Sequence, residues 1–145
     1  MIKNPVTKNI KKIKNKKRNN ILIFLNNTEY QNSKMTDIKF ISNKSLIENS
    51  INYINKKKLL FDQIYIKLHP ANDRRLYENY IKSFKNLKII KKKNIRNIFQ
   101  DTKLAISNES MTLFISKKYG IENLNITKNK DPIIPREYCK HIKYI

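Results

Sequence analysis

Glycine is almost missing from this chain. Gly120 is the only one among 145 residues. No Gly-rich dinucleotide fingerprint and no Gly-Lys-Ser/Thr phosphate loop can be written without it. A phosphate bound here must be held by side chains and helix ends. That disfavours NAD or ATP and leaves a nucleoside monophosphate-type donor or a generic anion. Cysteine is as scarce. A lone Cys139 excludes an internal disulfide and fits a reducing compartment. Cys139 and His141 stand two apart with no second pair, so no metal site and no cofactor are expected. Long apolar runs are lacking too. The longest, Ile21 to Leu25, is far below the roughly 20 residues that span a bilayer. The amino terminus is basic but has no apolar secretion core. A cytoplasmic protein, or one resting on the inner membrane face, is expected. Acidic residues are few, 11 against 32 Lys and Arg, for a net charge of +21. That excess attracts nucleic acid, anionic lipid and small anions. Lys, Asn and Ile share A/T-rich codons, so genome composition accounts for part of it.

What is present organises the chain in two parts. Residues 1–19 carry seven of their charges as Lys and one as Arg18, with no acid. Such density repels itself and buries little, so a basic, flexible arm or linker remnant is expected, able to lie on an anionic membrane. Residues 20–145 read as one domain. Ile21–Leu25 is a continuous apolar run, as in a strand covered on both faces. Ser45-Leu46-Ile47-Glu48 resembles a capping box, followed by a helix with Leu46, Ile47, Ile51 and Ile54 inward. Ile64–Leu68 is the second strand. Asn72 or Asp73 caps a helix with Leu76, Tyr77, Tyr80, Ile81 and Phe84 inward. Leu87–Ile90 is a third strand, and Asn94 caps a short helix with Ile95, Ile98 and Phe99. Leu104–Ile106 is a fourth strand. Glu109 or Ser110 opens a helix with Met111, Phe114 and Ile115 inward, stopped by Gly120. Leu124–Ile126 is a fifth strand. The tail from Asp131 carries Pro132 and Pro135 and then a weak apolar pattern, fitting a last helix or a frayed end. The alternation predicts an α/β fold: a Rossmann-like open parallel sheet of about five strands, with helices on both faces.

Open parallel sheets bind ligands at the carboxyl ends of their strands. Two strands end there in chemistry-bearing residues. The second stops at His69-Pro70. An imidazole there can donate a hydrogen bond to a phosphate oxygen, or a proton to a departing phosphate. The fourth stops at Ser107-Asn108-Glu109-Ser110, with Thr112 beyond. Its hydroxyls, with the helix start behind them, fit the same anion. One cap accounts for Asn108 or Ser110, but not for Ser107 and Ser110 together. Glu109 opposes an anion unless its side chain turns away. Asn26, after the first strand, stands where a nucleotide or sugar could touch. Arg74 and Arg75 fit a solvated helix face.

The order strand-Lys-Leu-His-Pro, helix, strand, helix, strand-Ser-Asn-x-Ser, helix resembles the carboxyl-terminal, donor-binding domain of bacterial GT-B glycosyltransferases. Within them it is most similar to sialyltransferases, of glycosyltransferase family 52 and of the capsule polysialyltransferases. His69-Pro70 matches their His-Pro motif. Ser110 with Thr112, or with Ser107, matches their Ser-Ser or Ser-Thr motif loosely, because no two hydroxyl residues are adjacent. The resemblance spans about residues 20–126. It implies CMP-sialic acid as donor and a glycan of lipooligosaccharide or capsule as acceptor. His69 and Ser110 would hold the CMP phosphate in a single inverting displacement. It also implies a general base in an amino-terminal half for which this chain has no room, so a truncated or split enzyme, completed by a partner chain, is expected. Related polymerases that transfer glycerol phosphate share the His-Pro motif and form an alternative donor class. A basic nucleic-acid-binding protein is the alternative of another kind. It rests on charge alone, because no base-reading helix or exposed aromatic sheet face is recognisable.

Overall fold

The computed structural model describes residues 18–27, 38–90 and 95–144. Among them run six strands: β1 (Asn20–Phe24), β2 (Ile64–Lys67), β3 (Leu87–Ile89), β4 (Thr102–Ser107), β5 (Glu122–Thr127) and β6 (Lys140–Lys143). Four helices accompany them: α1 (Asn43–Lys56), α2 (Arg74–Ile81), α3 (Ile95–Gln100) and α4 (Thr112–Lys118). The strands form one sheet in the order β3-β2-β1-β4-β5-β6. Every neighbouring pair is parallel.

β1 lies at the centre because it is apolar on both faces. Ile21, Ile23 and Leu25 join one core layer with Leu46, Ile47 and Ile54 of α1 and Ile81 of α2. Leu22 and Phe24 join the other with Ile98 and Phe99 of α3 and Leu113 of α4. Each of those side chains contributes about 1.5–3 kcal/mol by leaving water. The expected helices on both faces are therefore present, with α1 and α2 on one and α3 and α4 on the other.

Four local expectations need correction. The cap of α1 is Ser42 rather than Ser45. Ser42 is extended at ψ 153, and its side chain accepts from the Ser45 amide at 3.1 Å. Glu48 instead accepts from the Tyr80 hydroxyl at 2.6 Å. Asp73 does cap α2, by accepting from the Arg75 amide, but Leu76 is half exposed while Tyr77, Tyr80 and Phe84 pack on the core. α4 begins only at Thr112, so its buried residues are Leu113 and Ser116, and Met111 and Ile115 face out. The tail forms no helix. Pro132 and Pro135 keep residues 128–139 irregular, and Lys140–Lys143 then adds as a sixth parallel strand beside β5. Gly120, at φ 74, ends α4 as expected. Asn94, the arm through residue 17 and the segment 28–37 lie outside the described residues. Arg18, at the end of the expected arm, donates to the Tyr119 carbonyl at 2.9 Å. No helix among the described residues is long and apolar enough to cross a membrane.

Candidate functional site

The strand order reverses between β1 and β4: the chain leaves β1 towards β2 and β3, and leaves β4 towards β5 and β6. At such a point the loops beyond the carboxyl ends turn away from each other, which is where open sheets seat ligands. The residues that stand there are Asn26 after β1, His69 after β2 and Ser107–Thr112 at the end of β4.

His69 and Pro70 are exposed. The turn that carries them is closed by the Asn72 amide donating to the His69 carbonyl at 2.9 Å, with Pro70 at the position that favours its fixed φ. The Asn72 side chain accepts from the His69 amide at 2.7 Å and donates to the Asn26 carbonyl at 3.2 Å, so the turn is tied to the end of β1. The ring is oriented as well. His69 Nδ1 lies 3.1 Å from the Ala71 amide and accepts its hydrogen. The neutral ring therefore carries its proton on Nε2. That suits a hydrogen bond to an anion.

Asn26 is 5% exposed and braced on every side. Its amide donates to Asn43 Oδ1 at 3.0 Å, and Asn43 Nδ2 donates to its carbonyl at 2.7 Å. Asn43 Nδ2 also reaches the Tyr77 hydroxyl at 3.1 Å. The Asn26 side chain donates to the Asn108 carbonyl. Ser107 is fully buried, and its hydroxyl donates to the Phe24 carbonyl at 3.0 Å. Its one proton is engaged inside the sheet. Asn108, fully buried too, is a cross-brace and not a helix cap. Its Nδ2 donates to the Ile126 carbonyl at 2.7 Å, and its Oδ1 accepts from the Ile41 amide at 3.0 Å.

Glu109 turns away towards β5. Its backbone is left-handed at φ 50, and its amide donates to Asn125 Oδ1 at 2.7 Å. Its buried carboxylate accepts from Asn125 Nδ2, and from Asn129 Nδ2 and the Ile133 amide, both at 3.0 Å. Four hydrogen bonds, three accepted by its carboxylate and one donated by its amide, hold Glu109 in a backbone conformation costly for a side chain with Cβ. Ser110 and Thr112 come together: their hydroxyl oxygens are 2.7 Å apart, and the Thr112 amide donates to Ser110 Oγ at 3.3 Å. Ser110 and Thr112 are thus paired, while Ser107 stands apart from them in the interior. Arg74 pairs with Glu78 at 2.6 Å on the exposed face of α2.

The braces Asn43, Asn72 and Asn125 carry no motif. The available signal was an Asn beside a helix cap, for Asn43 and Asn72, or within a strand, for Asn125, which in an Asn-rich chain reads as ordinary composition.

No family model and no curated protein matches this sequence. Among solved structures, the UDP-GlcNAc 2-epimerase from Neisseria meningitidis bound to UDP-GlcNAc is similar, with TM-score 0.57 and 13% identity, over 96% of this chain. The chain spans 36% of the length of that protein. At this identity the likeness shows the fold. The Rossmann-like parallel α/β sheet read from the sequence is the architecture of this chain.

Proposed function

We propose that this chain is the donor-binding half of a sugar-nucleotide transferase, with CMP-sialic acid as its donor. The reading is supported by two features that follow the strands on either side of β1 at the strand-order reversal: His69, whose Nδ1 accepts from the Ala71 amide, and the Ser110–Thr112 hydroxyl pair. β2 and β4 flank β1, so the two groups start from strands about 10 Å apart. A phosphate with a hydrogen bond of about 2.8 Å on either side fits that interval once both side chains reach inward. His69 acts by donating Nε2–H to the phosphate as the sugar–phosphate bond breaks, which favours the CMP leaving group without moving a proton. Ser110 donates from the other side, with Thr112 holding its hydroxyl. Asn26 and Ser107 position the rim from within. The acceptor oxygen forms the new bond to the anomeric carbon, and its proton passes to a base that a second half or partner chain supplies. Glu109 is not that base, because its carboxylate is buried under donors.

A second reading follows from the solved relative. A UDP-sugar would sit on the same rim if this half served an epimerase-like enzyme. Calorimetric titration with CMP and with UDP separates the two. CMP is expected to bind, and His69→Ala and Ser110→Ala each to weaken it about 10-fold, the loss of one charge-assisted hydrogen bond. The far-UV circular dichroism of His69→Ala should not change, since His69 is exposed. UDP binding without CMP binding would favour the second reading. CMP affinity unmoved in both variants would remove the site. Tight, salt-steep oligonucleotide binding with no nucleotide effect would favour the nucleic-acid alternative.

A further inference from the structure

A second concave site lies at the far end of the same sheet edge, on β5 and β6. It is a pocket of about 540 Å³ lined by Thr127, Lys128, Asn129, Lys130, Pro132, Arg136, His141, Ile142 and Lys143. That volume lies within the range of small-molecule sites. Its charge is one-sided: Lys128, Lys130, Arg136 and Lys143 line it, and no carboxylate does. The same one-sidedness marks the concavity between α1 and β6, lined by Lys56, Lys57, Lys140 and Lys143, but not every hollow of this basic chain. The neighbouring concavity behind β5 and β6 includes Glu122 and Glu137 among its walls, and the one beneath α3 includes Asp101. Asp131 and Glu137 flank the cations in sequence, yet neither lines this pocket. None of the four cations has an ion-pair partner among the described residues.

The inner wall is built rather than incidental. Asn125 Nδ2 gives one hydrogen to the buried Glu109 carboxylate and approaches His141 Nδ1 at 3.1 Å with the other. His141 Nδ1 is therefore an acceptor, and the neutral ring offers Nε2–H as a donor. Asn129 is fixed from three directions. Its amide donates to Thr127 Oγ1 at 3.0 Å, and its side chain donates to the Lys39 carbonyl at 2.8 Å and to Glu109 at 3.0 Å. Thus a braced wall, its Asn125 and Asn129 hydrogens engaged within the fold, stands behind the four cations of the concavity. Like charges gathered so closely repel, and an anion with more than one charge relieves all of them together.

We propose that this pocket binds a diphosphate-class anion, with two or more linked phosphates, separately from the His69 rim. Four strand spacings separate β2 from β6, about 19 Å, so one diphosphate cannot touch both. The inference does not rest on the sugar-transfer reading. The source of the diphosphate is either a free nucleotide or a phosphorylated carrier lipid. The shared group is what the pocket recognises.

The test uses the full chain and inorganic pyrophosphate, titrated by calorimetry against sulfate at matched ionic strength. Saturable pyrophosphate binding that sulfate does not reproduce is expected. Lys130→Gln with Arg136→Gln should weaken it about 10-fold or more, because two charge-assisted contacts are removed. Lys82→Gln with Lys85→Gln, exposed positions beyond α2, removes the same charge elsewhere and should leave affinity unchanged. Equal losses in the two double variants would mean bulk charge and overturn the proposal. So would a loss confined to His69→Ala, which would move the anion to the other rim. If pyrophosphate binds, ultracentrifugation with anionic vesicles bearing a diphosphate lipid, against vesicles bearing a monophosphate lipid, distinguishes the lipid source from the free nucleotide.

Discussion

Asn108 does the work of several backbone groups at once. Its side chain satisfies the Ile41 amide and the Ile126 carbonyl, and its own carbonyl accepts from the Asn26 side chain. Removing it strands buried polar atoms on two segments, each costing about 1–3 kcal/mol. Asn108→Ala should therefore lower stability by about 3 kcal/mol, read from the midpoint of urea unfolding at unchanged slope. A loss below about 1 kcal/mol would show that water replaces the amide. This role was not legible in the sequence. Asn108 is indistinguishable there from a helix cap, and the abundance of Asn reads as codon composition. His69 was legible because Pro70 marks a turn and the run before it marks a strand. Ser107 was not, because the strand it ends extends one residue further than its apolar letters and takes it inside. Cys139 belongs to this scale too. Burial, then the Glu109 charge, pushes its thiol from 9.0 up to about 11. A raised thiol favours the neutral form: the associated stability is complete below pH 9.0 and is lost as pH rises towards about 11. At about pH 8, iodoacetamide should label the folded protein about 100-fold more slowly than the urea-unfolded chain, from the two-unit difference in thiolate fraction. Equal rates would show the thiol to be exposed.

At the scale of elements, the errors of sequence reading share one cause. Helical periodicity gives the spacing of a stripe but not its phase, and the phase is set by where the helix starts. α4 starts at Thr112 because Glu109 takes a left-handed conformation and Ser110 with Thr112 makes a local turn. Met111 is then exposed and Leu113 fully buried. Leu113→Ala is expected to cost about 3 kcal/mol by the burial and cavity terms, and Met111→Ala less than about 0.5 kcal/mol. Denaturant midpoints for the pair decide it, and the reverse order would restore the sequence-based phase. β6 was missed for a different reason. Four residues between a proline-bearing connection and the end of the domain show too little alternation to identify a strand, and its partner β5 supplies the pairing that defines it.

Across the whole molecule, the alternation of apolar runs with helical stripes was enough to predict a parallel sheet with helices on both faces, because few topologies satisfy it. The number of strands and the second anion pocket were not readable. Both depend on β6, and the pocket draws its cations from a connection and a strand end that only the fold brings together. The centre of the sheet has one more consequence. β1, at residues 20–24, pairs on one side with β2 and on the other with β4, at residues 102–107. A nascent chain leaving the ribosome has its most apolar strand ready early, yet one flank of that strand has no mate until most of the domain has been synthesised. In that interval a sticky, half-matched edge is open to pairing with another copy.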